Sequence, residues 1–239
     1  MSDAVCIKNF SYDYPDGTKA LDDISLNIAP GQKVALIGAN GSGKSTLLLA
    51  MVAFIRGKGS VFVKGTEVTA KNAARVRKNI GLVMQNPDEQ LFMQTIWEDV
   101  AFGPLNMGLS DEDVHTRTHA AIDTVGLTGM ETKAPHHLSA GQKRSAAIAT
   151  ILSMNPAIIT MDEPDTSLDP RSRNHLVDLL HSLSQTLIIA TCNMHFAAQV
   201  CDRCILISNG KVVADADTRT ILTDQTLMQQ NGLETVIIQ

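Results

Sequence analysis

The sequence predicts an α/β protein built on a mostly parallel sheet. Three observations carry this: a glycine-rich Lys-Ser-Thr loop set between an apolar strand and a helix, strand-type runs that return after a long helical stretch, and a helix-like segment between two of those runs. The loop, Gly38-Ala-Asn-Gly-Ser-Gly-Lys-Ser-Thr46, fully matches G-x-x-x-x-G-K-[ST]. It follows apolar residues 34–37 and precedes the helix-like run 47–55. Gly38, Gly41 and Gly43 let the backbone wrap so that successive N–H groups point into one concavity, and the following helix adds its positive end. Such a loop is a phosphate cradle. Lys44 reaches the β- and γ-phosphates, the Ser45 hydroxyl ligates Mg²⁺, and Asn40, Ser42 and Thr46 complete the binding set.

The remaining elements follow in chain order. Residues 5–14, 24–28 and 60–63 are β-prone, broken by Pro15-Asp16-Gly17, Pro30-Gly31 and Lys64-Gly65. Residues 80–84 read as a buried strand. From about Asn86 to Thr150 the chain turns polar and helix-like, with a helix start at Ser110-Asp111-Glu112-Asp113, as expected of an inserted helical subdomain. Strand-type runs return at 157–161, 187–190 and 204–207, with a helix at 171–183, and Asn209-Gly210 is a hairpin turn. The expected division is a β-subdomain with the phosphate-loop core (1–85), a helical subdomain (86–152) and the rest of the sheet with a C-terminal hairpin and tail (153–239).

Bulk properties exclude several function classes. The 239 residues suffice for one large α/β domain, and 44% hydrophobic with 19% charged residues is ordinary for a soluble globular protein. A net charge of -5 argues against general nucleic-acid binding, which needs a surplus of Lys and Arg. No run nears the roughly 18 apolar residues of a membrane helix, and the first ten residues have no signal-peptide core. A cytoplasmic chain is expected, peripheral to the membrane, with any membrane role exerted through a partner. Cys201 and Cys204 form a C-x-x-C without a second ligand pair, so structural thiols are expected rather than a zinc site. His136-His137 are adjacent and do not converge as i, i+4 pairs do, which points to a solvated lead-in rather than a metal site.

Downstream motifs narrow the chemistry. The apolar run 157–161 leads into Asp162-Glu163-Pro164; two carboxylates at a strand end deliver one to Mg²⁺ and the other towards an attacking water. Leu138-Ser139-Ala140-Gly141-Gln142 resembles the LSGGQ signature of ABC-type ATPases, with Ala140 in place of the first glycine. Together with Gln85 after a strand and Ser167-Leu168-Asp169 after the acidic pair, the order resembles an ABC nucleotide-binding domain from about Val5 to Asp217. The resemblance implies a RecA-like P-loop NTPase core with an N-terminal antiparallel β-subdomain, ATP and Mg²⁺ as ligands, and a dimer sandwiching two nucleotides. In that arrangement Ser139, Gly141 and Gln142 meet the γ-phosphate held by a second subunit, Asp169 lies between subunits, and Lys44 and Glu163 are catalytic.

The segments Met84-Gln-Asn-Pro-Asp-Glu-Gln-Leu-Phe92, Glu98-Asp-Val-Ala-Phe-Gly-Pro-Leu-Asn-Met107 and Tyr14-Pro-Asp-Gly-Thr-Lys-Ala-Leu21 resemble the ATPase subunits of energy-coupling-factor importers, the cobalt/nickel and vitamin group. That resemblance implies that Tyr14, rather than Tyr12, stacks on adenine, and that Gln85 senses Mg²⁺ and couples the site to a transmembrane subunit. A groove near residues 85–102 would receive that partner, with Phe92, Met93 and Trp97 as candidates either for its lining or for core packing. A dimer of identical chains and a pairing with a second ABC ATPase both fit.

One departure stands out. Where the family carries a histidine in a Thr-His-Asp context, this chain has Thr191-Cys192-Asn193-Met194-His195. A thiol is a weaker, shorter donor than imidazole, and losing one transition-state contact typically costs about 10²–10³ in rate. Three readings follow: slow but real turnover driven by Glu163, a weak site in a heterodimer whose other site is strong, or replacement of the missing donor by His195. A nucleotide-dependent clamp with little turnover is the rival function.

Overall fold

The computed structural model describes residues 3–236, and the strands fall into two sheets. β1 (Val5–Asp13), β2 (Lys19–Ile28), β4 (Lys58–Val63) and β5 (Thr66–Glu67) form an antiparallel sheet in the order β2-β1-β4-β5. The larger sheet runs β10-β9-β3-β8-β7-β6, from β3 (Lys33–Ile37), β6 (Ile80–Val83), β7 (Ile158–Asp162), β8 (Thr186–Thr191), β9 (Arg203–Ser208) and β10 (Lys211–Asp217). All its neighbours are parallel except β10, which returns antiparallel on β9. β8 is buried along its whole length and β3 and β7 at every position but one, as a parallel sheet covered on both faces requires.

Two apolar layers flank the larger sheet. On one side α1 (Lys44–Met51) packs with the antiparallel sheet on Val34, Leu36, Ile188 and Ile205. On the other, Ala35, Ile37, Ile159 and Leu206 meet α3 (Ile96–Asn106), α4 (Asp111–Thr124), α5 (Ala140–Leu152), α6 (Pro170–Ser182) and α7 (Met194–Val200). Each fully buried Leu or Ile contributes about 1.5–3 kcal/mol. Local chemistry fixes the helix starts. Thr95 with Glu98 and Ser139 with Gln142 form capping boxes, and Ser110 caps α4 through the Asp113 N–H.

Several boundaries differ from expectation. β2 begins at Lys19, well ahead of 24–28, because register shifts opposite Phe10 and Tyr12 and the positive φ of Asp23 (56°) let polar Asp22 and Asp23 continue the strand irregularly. α1 ends at Met51 rather than at 55, since Ala53 takes a φ of 60° that no helix continues. α2 (Ala73–Arg77), α8 (Thr218–Thr223) and α9 (Gln225–Gln230) lie outside the expected elements; they are short and held by Val76, Ile221, Leu222 and Met228 in the core. The turn at Asn209 (φ 49°) and Gly210 (φ 74°) is the two-residue hairpin the dipeptide predicts. Cys201 and Cys204 are buried free thiols, their pKa values raised by desolvation, to about 12 for Cys204.

Candidate functional site

The phosphate loop joins β3 to α1, and its geometry depends on Gly43. That residue has φ 107°, and a Cβ there would lie 2.6 Å from the Ala20 carbonyl oxygen. The loop therefore lies directly on β2. Among the described residues no side chain caps α1, and the first helical bond runs from Leu47 N–H to Gly43 O. The N–H groups of residues 44–46 are left for an anion.

A pocket of about 650 Å³ opens over this loop. Residues 40–46, Tyr14, Thr18, Gln85, Glu163, Thr166 and Cys192 line it. Lys44 is buried and donates to Gly38 O (2.7 Å) and Ala39 O (3.1 Å), so its ammonium is already held over the loop. Tyr14 is half-exposed; its hydroxyl lies 2.8 Å from Thr46 Oγ1, and its ring meets Tyr12 edge-on at 5.3 Å. Tyr12 packs against the core, and of the two tyrosines only Tyr14 lines the pocket.

The acidic pair occupies the end of β7. Asp162 Oδ1 is buried without a hydrogen-bond partner among the described residues. Desolvation raises the Asp162 pKa, and the Ser45 hydroxyl pulls it back. An orphaned carboxylate oxygen beside a serine hydroxyl is an all-oxygen donor set, which suits Mg²⁺. Glu163 adopts φ 44°, uncommon for a non-glycine residue; its N–H donates to Ala190 O (2.8 Å) and its Oε2 accepts from the Cys192 N–H (3.1 Å).

The Asp162 shift predicts opposite effects of one substitution. In the nucleotide-free protein a raised carboxyl pKa means that the folded state holds its proton more tightly than the unfolded chain. That contribution is present at low pH and fades as pH rises through the folded value, leaving a desolvated charge above it. Asp162→Asn should therefore raise the melting temperature at pH 7.5, by about 2–4 °C if about 1 kcal/mol is recovered. The same change should weaken Mg²⁺-dependent nucleotide binding; calorimetric melting and a Mg²⁺ titration check the two halves.

Cys192 is at the lip of the pocket. Its thiol donates towards Asn40 Oδ1 (3.2 Å) and Gly38 O (3.5 Å) and accepts from Lys44 Nζ (3.4 Å). Burial, then the neighbouring Glu163, push its pKa up, so it stays a neutral thiol rather than a reactive thiolate. His195 is exposed on α7 and faces a different cavity, shared with Asn40, Cys192 and residues 232–236. The structure does not bring it to the phosphate pocket.

The signature residues lie elsewhere. Ser139 and Ala140 are exposed at the start of α5, and no residue from 138 to 144 lines the phosphate pocket. Gly141 permits close approach to α6, since a Cβ there would lie 2.5 Å from Ser172 Oγ. The Gln142 side chain accepts from Ser139 N–H (3.0 Å), and Asp169 caps α6 through Arg171 and Ser172, so both are engaged within the chain.

Sequence reasoning missed what ties these parts together. Arg144 is 3% exposed and donates to Met84 O (2.6 Å) and Gln85 O (2.7 Å). Lys143 pairs with Asp88 (2.6 Å), and Gln90 bonds Met84 N–H and Ala147 O. The segment carrying Gln85 is thus fastened to the signature helix, and Gln85 borders both the phosphate pocket and a second cavity of about 430 Å³ beside Ala140 and Ser167. The Lys143-Arg144 dipeptide directly after the signature was the available signal. Phe92 is 62% exposed and meets Phe102 edge-on at 5.1 Å, on a turn held by Asp99 Oδ1 through the Phe92 and Met93 N–H groups. Trp97 is partly buried and packs instead on both His115 and His119, whose rings also meet each other. His136 and His137 form an exposed 3-10 turn before the signature.

Known proteins resemble this chain in sequence and in fold. The family model described as ABC transporter matches residues 21–166. The chain belongs to the ABC transporter ATPase family. This ABC ATPase is 42% identical to a putative ABC transporter ATP-binding protein of Streptomyces avermitilis, over 95% of this chain and 87% of that one. It is 40% identical to the energy-coupling factor transporter ATP-binding protein EcfA of Carboxydothermus hydrogenoformans, over 100% and 89%. Among solved structures it superimposes on cbiO1 from Clostridium perfringens, part of the ABC transporter complex cbiONQ, with TM-score 0.85 and 31% identity over 96% and 94% of the chains. The dimeric cassette MJ0796, bound to ADP and Pi after hydrolysis, gives TM-score 0.81 and 27% identity over 90% and 98%. As an ABC ATPase the chain hydrolyses ATP to drive transport. No helix among its described residues is long and apolar enough to cross a membrane.

Proposed function

We propose that this ABC ATPase is the motor subunit of an energy-coupling-factor importer of the cobalt/nickel and vitamin group, working at the cytoplasmic face of the membrane. One observation carries the site assignment: Lys44, Glu163, Gln85 and Cys192 surround one pocket over the phosphate loop, while Ser139 and Gly141 stand outside it. A pocket complete on the phosphate side and a signature exposed on another face are what two chains need to close on each other's nucleotide. The likeness to EcfA and to cbiO1 supports the importer class.

In this reading the N–H groups of residues 44–46 and the Lys44 ammonium hold the ATP phosphates, with Tyr14 under the adenine. Ser45, Asp162 and Gln85 would hold Mg²⁺, which would supply positive charge to offset that of the phosphates. Glu163, kept in place by the Cys192 N–H and its left-handed backbone, accepts a proton from water as the water oxygen bonds to the γ-phosphorus. The bond to the β–γ bridging oxygen breaks and ADP carries that oxygen away. Ser139, Gly141 and Gln142 of a second ATPase would seal the site, Asp169 would line the subunit boundary, and the exposed Phe92–Phe102 pair would seat the transmembrane subunit.

The Cys192 thiol supports a second reading, in which this site turns over slowly and a related ATPase supplies the faster one. Mg·ATP titration of the purified chain tests nucleotide binding itself. One nucleotide per chain is expected, and Lys44→Ala should weaken binding about 10- to 100-fold, the equivalent of one lost charged hydrogen bond. Equal affinity in the variant would remove Lys44 from the site.

A further inference from the structure

Asp165 is only 5% exposed, three residues past Asp162 and outside the lining of the phosphate pocket. One carboxylate oxygen accepts from Thr191 Oγ1 (3.0 Å) and the other from Asn193 Nδ2 (2.7 Å). Asn193 Oδ1 meanwhile accepts from the Phe196 N–H at the start of α7. Both neighbours of Cys192 are therefore pinned to one buried carboxylate, and Cys192 in turn donates its N–H to Glu163 Oε2. Burial lowers the Arg144 pKa and the Asp165 charge opposes that shift, so Asp165 also acts on the side chain that holds Gln85 O.

This arrangement explains the second departure in Thr191-Cys192-Asn193. With an acid at 193, two carboxylates would face each other across the 2.7 Å now spanned by an amide hydrogen bond, and like charges that close cannot both stay ionised. The amide at 193 and the acid at 165 belong together.

We infer that Asp165 and Asn193 form a positioning pair, acting through the Cys192 backbone to set the Glu163 carboxylate, and that its polarity is fixed: acceptor at 165, donor at 193. Neither residue touches ATP; each works by placing residue 192. The inference rests on the proposed role of Glu163, so one of its tests needs no turnover.

The experiment uses the full chain, both free and assembled with its transmembrane partner, in three forms: wild type, Asn193→Asp, and Asn193→Asp combined with Asp165→Asn. In the free, nucleotide-free chain the labelling rate of Cys192 by a thiol reagent is read by peptide mass. Asn193→Asp should change that rate severalfold, and the double variant, with the hydrogen bond reversed, should restore it. In the assembled complex Asn193→Asp should lower kcat about tenfold or more while KM for ATP stays within about twofold, as expected when a catalytic group is displaced and ground-state binding is spared. The double variant should regain most of kcat. If Asn193→Asp labels and turns over like wild type, or if the double variant is as impaired as the single one, the pair does not act by polarity. Restored labelling with no turnover in any form, wild type included, would leave the pair standing and count against the function proposed for Glu163.

Discussion

Glu163→Gln should bind Mg·ATP with near-wild-type affinity and lose turnover by about 10²–10⁴, the range of a removed general base. Glu163 lines the phosphate pocket at the end of β7, beside Asp162. Its Oε2 is oriented by the Cys192 N–H, and its φ of 44° is held by the bond from its own N–H to Ala190 O. A residue kept in a left-handed conformation by flanking strands is placed with care by the fold, and the amide of glutamine preserves shape and hydrogen bonding while it cannot take a proton. Binding and chemistry should therefore separate. With hydrolysis blocked, ATP should hold two ATPase subunits together, visible as a doubled mass in light scattering. A variant that turns over normally would remove Glu163 from the chemistry.

The second large effect runs the other way. Cys192→His should raise the rate of the assembled complex by about tenfold, and by up to about 10²–10³ if imidazole makes the full transition-state contact that a thiol lacks. Cys192 already faces the right place: its sulfur sits among Lys44, Gly38 O and Asn40. A thiol kept neutral by burial is a weak, short donor there, whereas imidazole reaches further into the pocket. The Asp165–Asn193 anchor is untouched by this change, so residue 192 should stay aimed. Steady-state phosphate release by the complex measures the effect. No increase would mean that the missing donor does not limit this site, as in a heterodimer whose second site carries the flux.

The parts of this molecule that were legible in sequence are those written locally. A glycine-rich loop is spelled in nine consecutive residues, and the strand and helix around it follow from a switch of period. The hairpin at Asn209-Gly210 and the helix start at Ser110 are equally local signals. The fastening of Gln85 to the signature helix joins residues about sixty positions apart, and the Asp165–Asn193 pair spans 28. Neither leaves a periodic trace. Apolar pattern alone could not separate Phe92 from Trp97; only the packing does, with one ring exposed on its turn and the other set against α4. The short helices after Asp217 escaped because six-residue helices owe their stability to core anchors such as Leu222 and Met228 rather than to a long amphipathic pattern.

Single-turnover hydrolysis of radiolabelled Mg·ATP by the assembled complex, with this subunit present as wild type or as Glu163→Gln, decides whether Glu163 drives the chemistry. Phosphate should leave the wild-type site within one binding event, and the variant should retain intact ATP. Equal release from both, or intact ATP retained by both, would contradict that role.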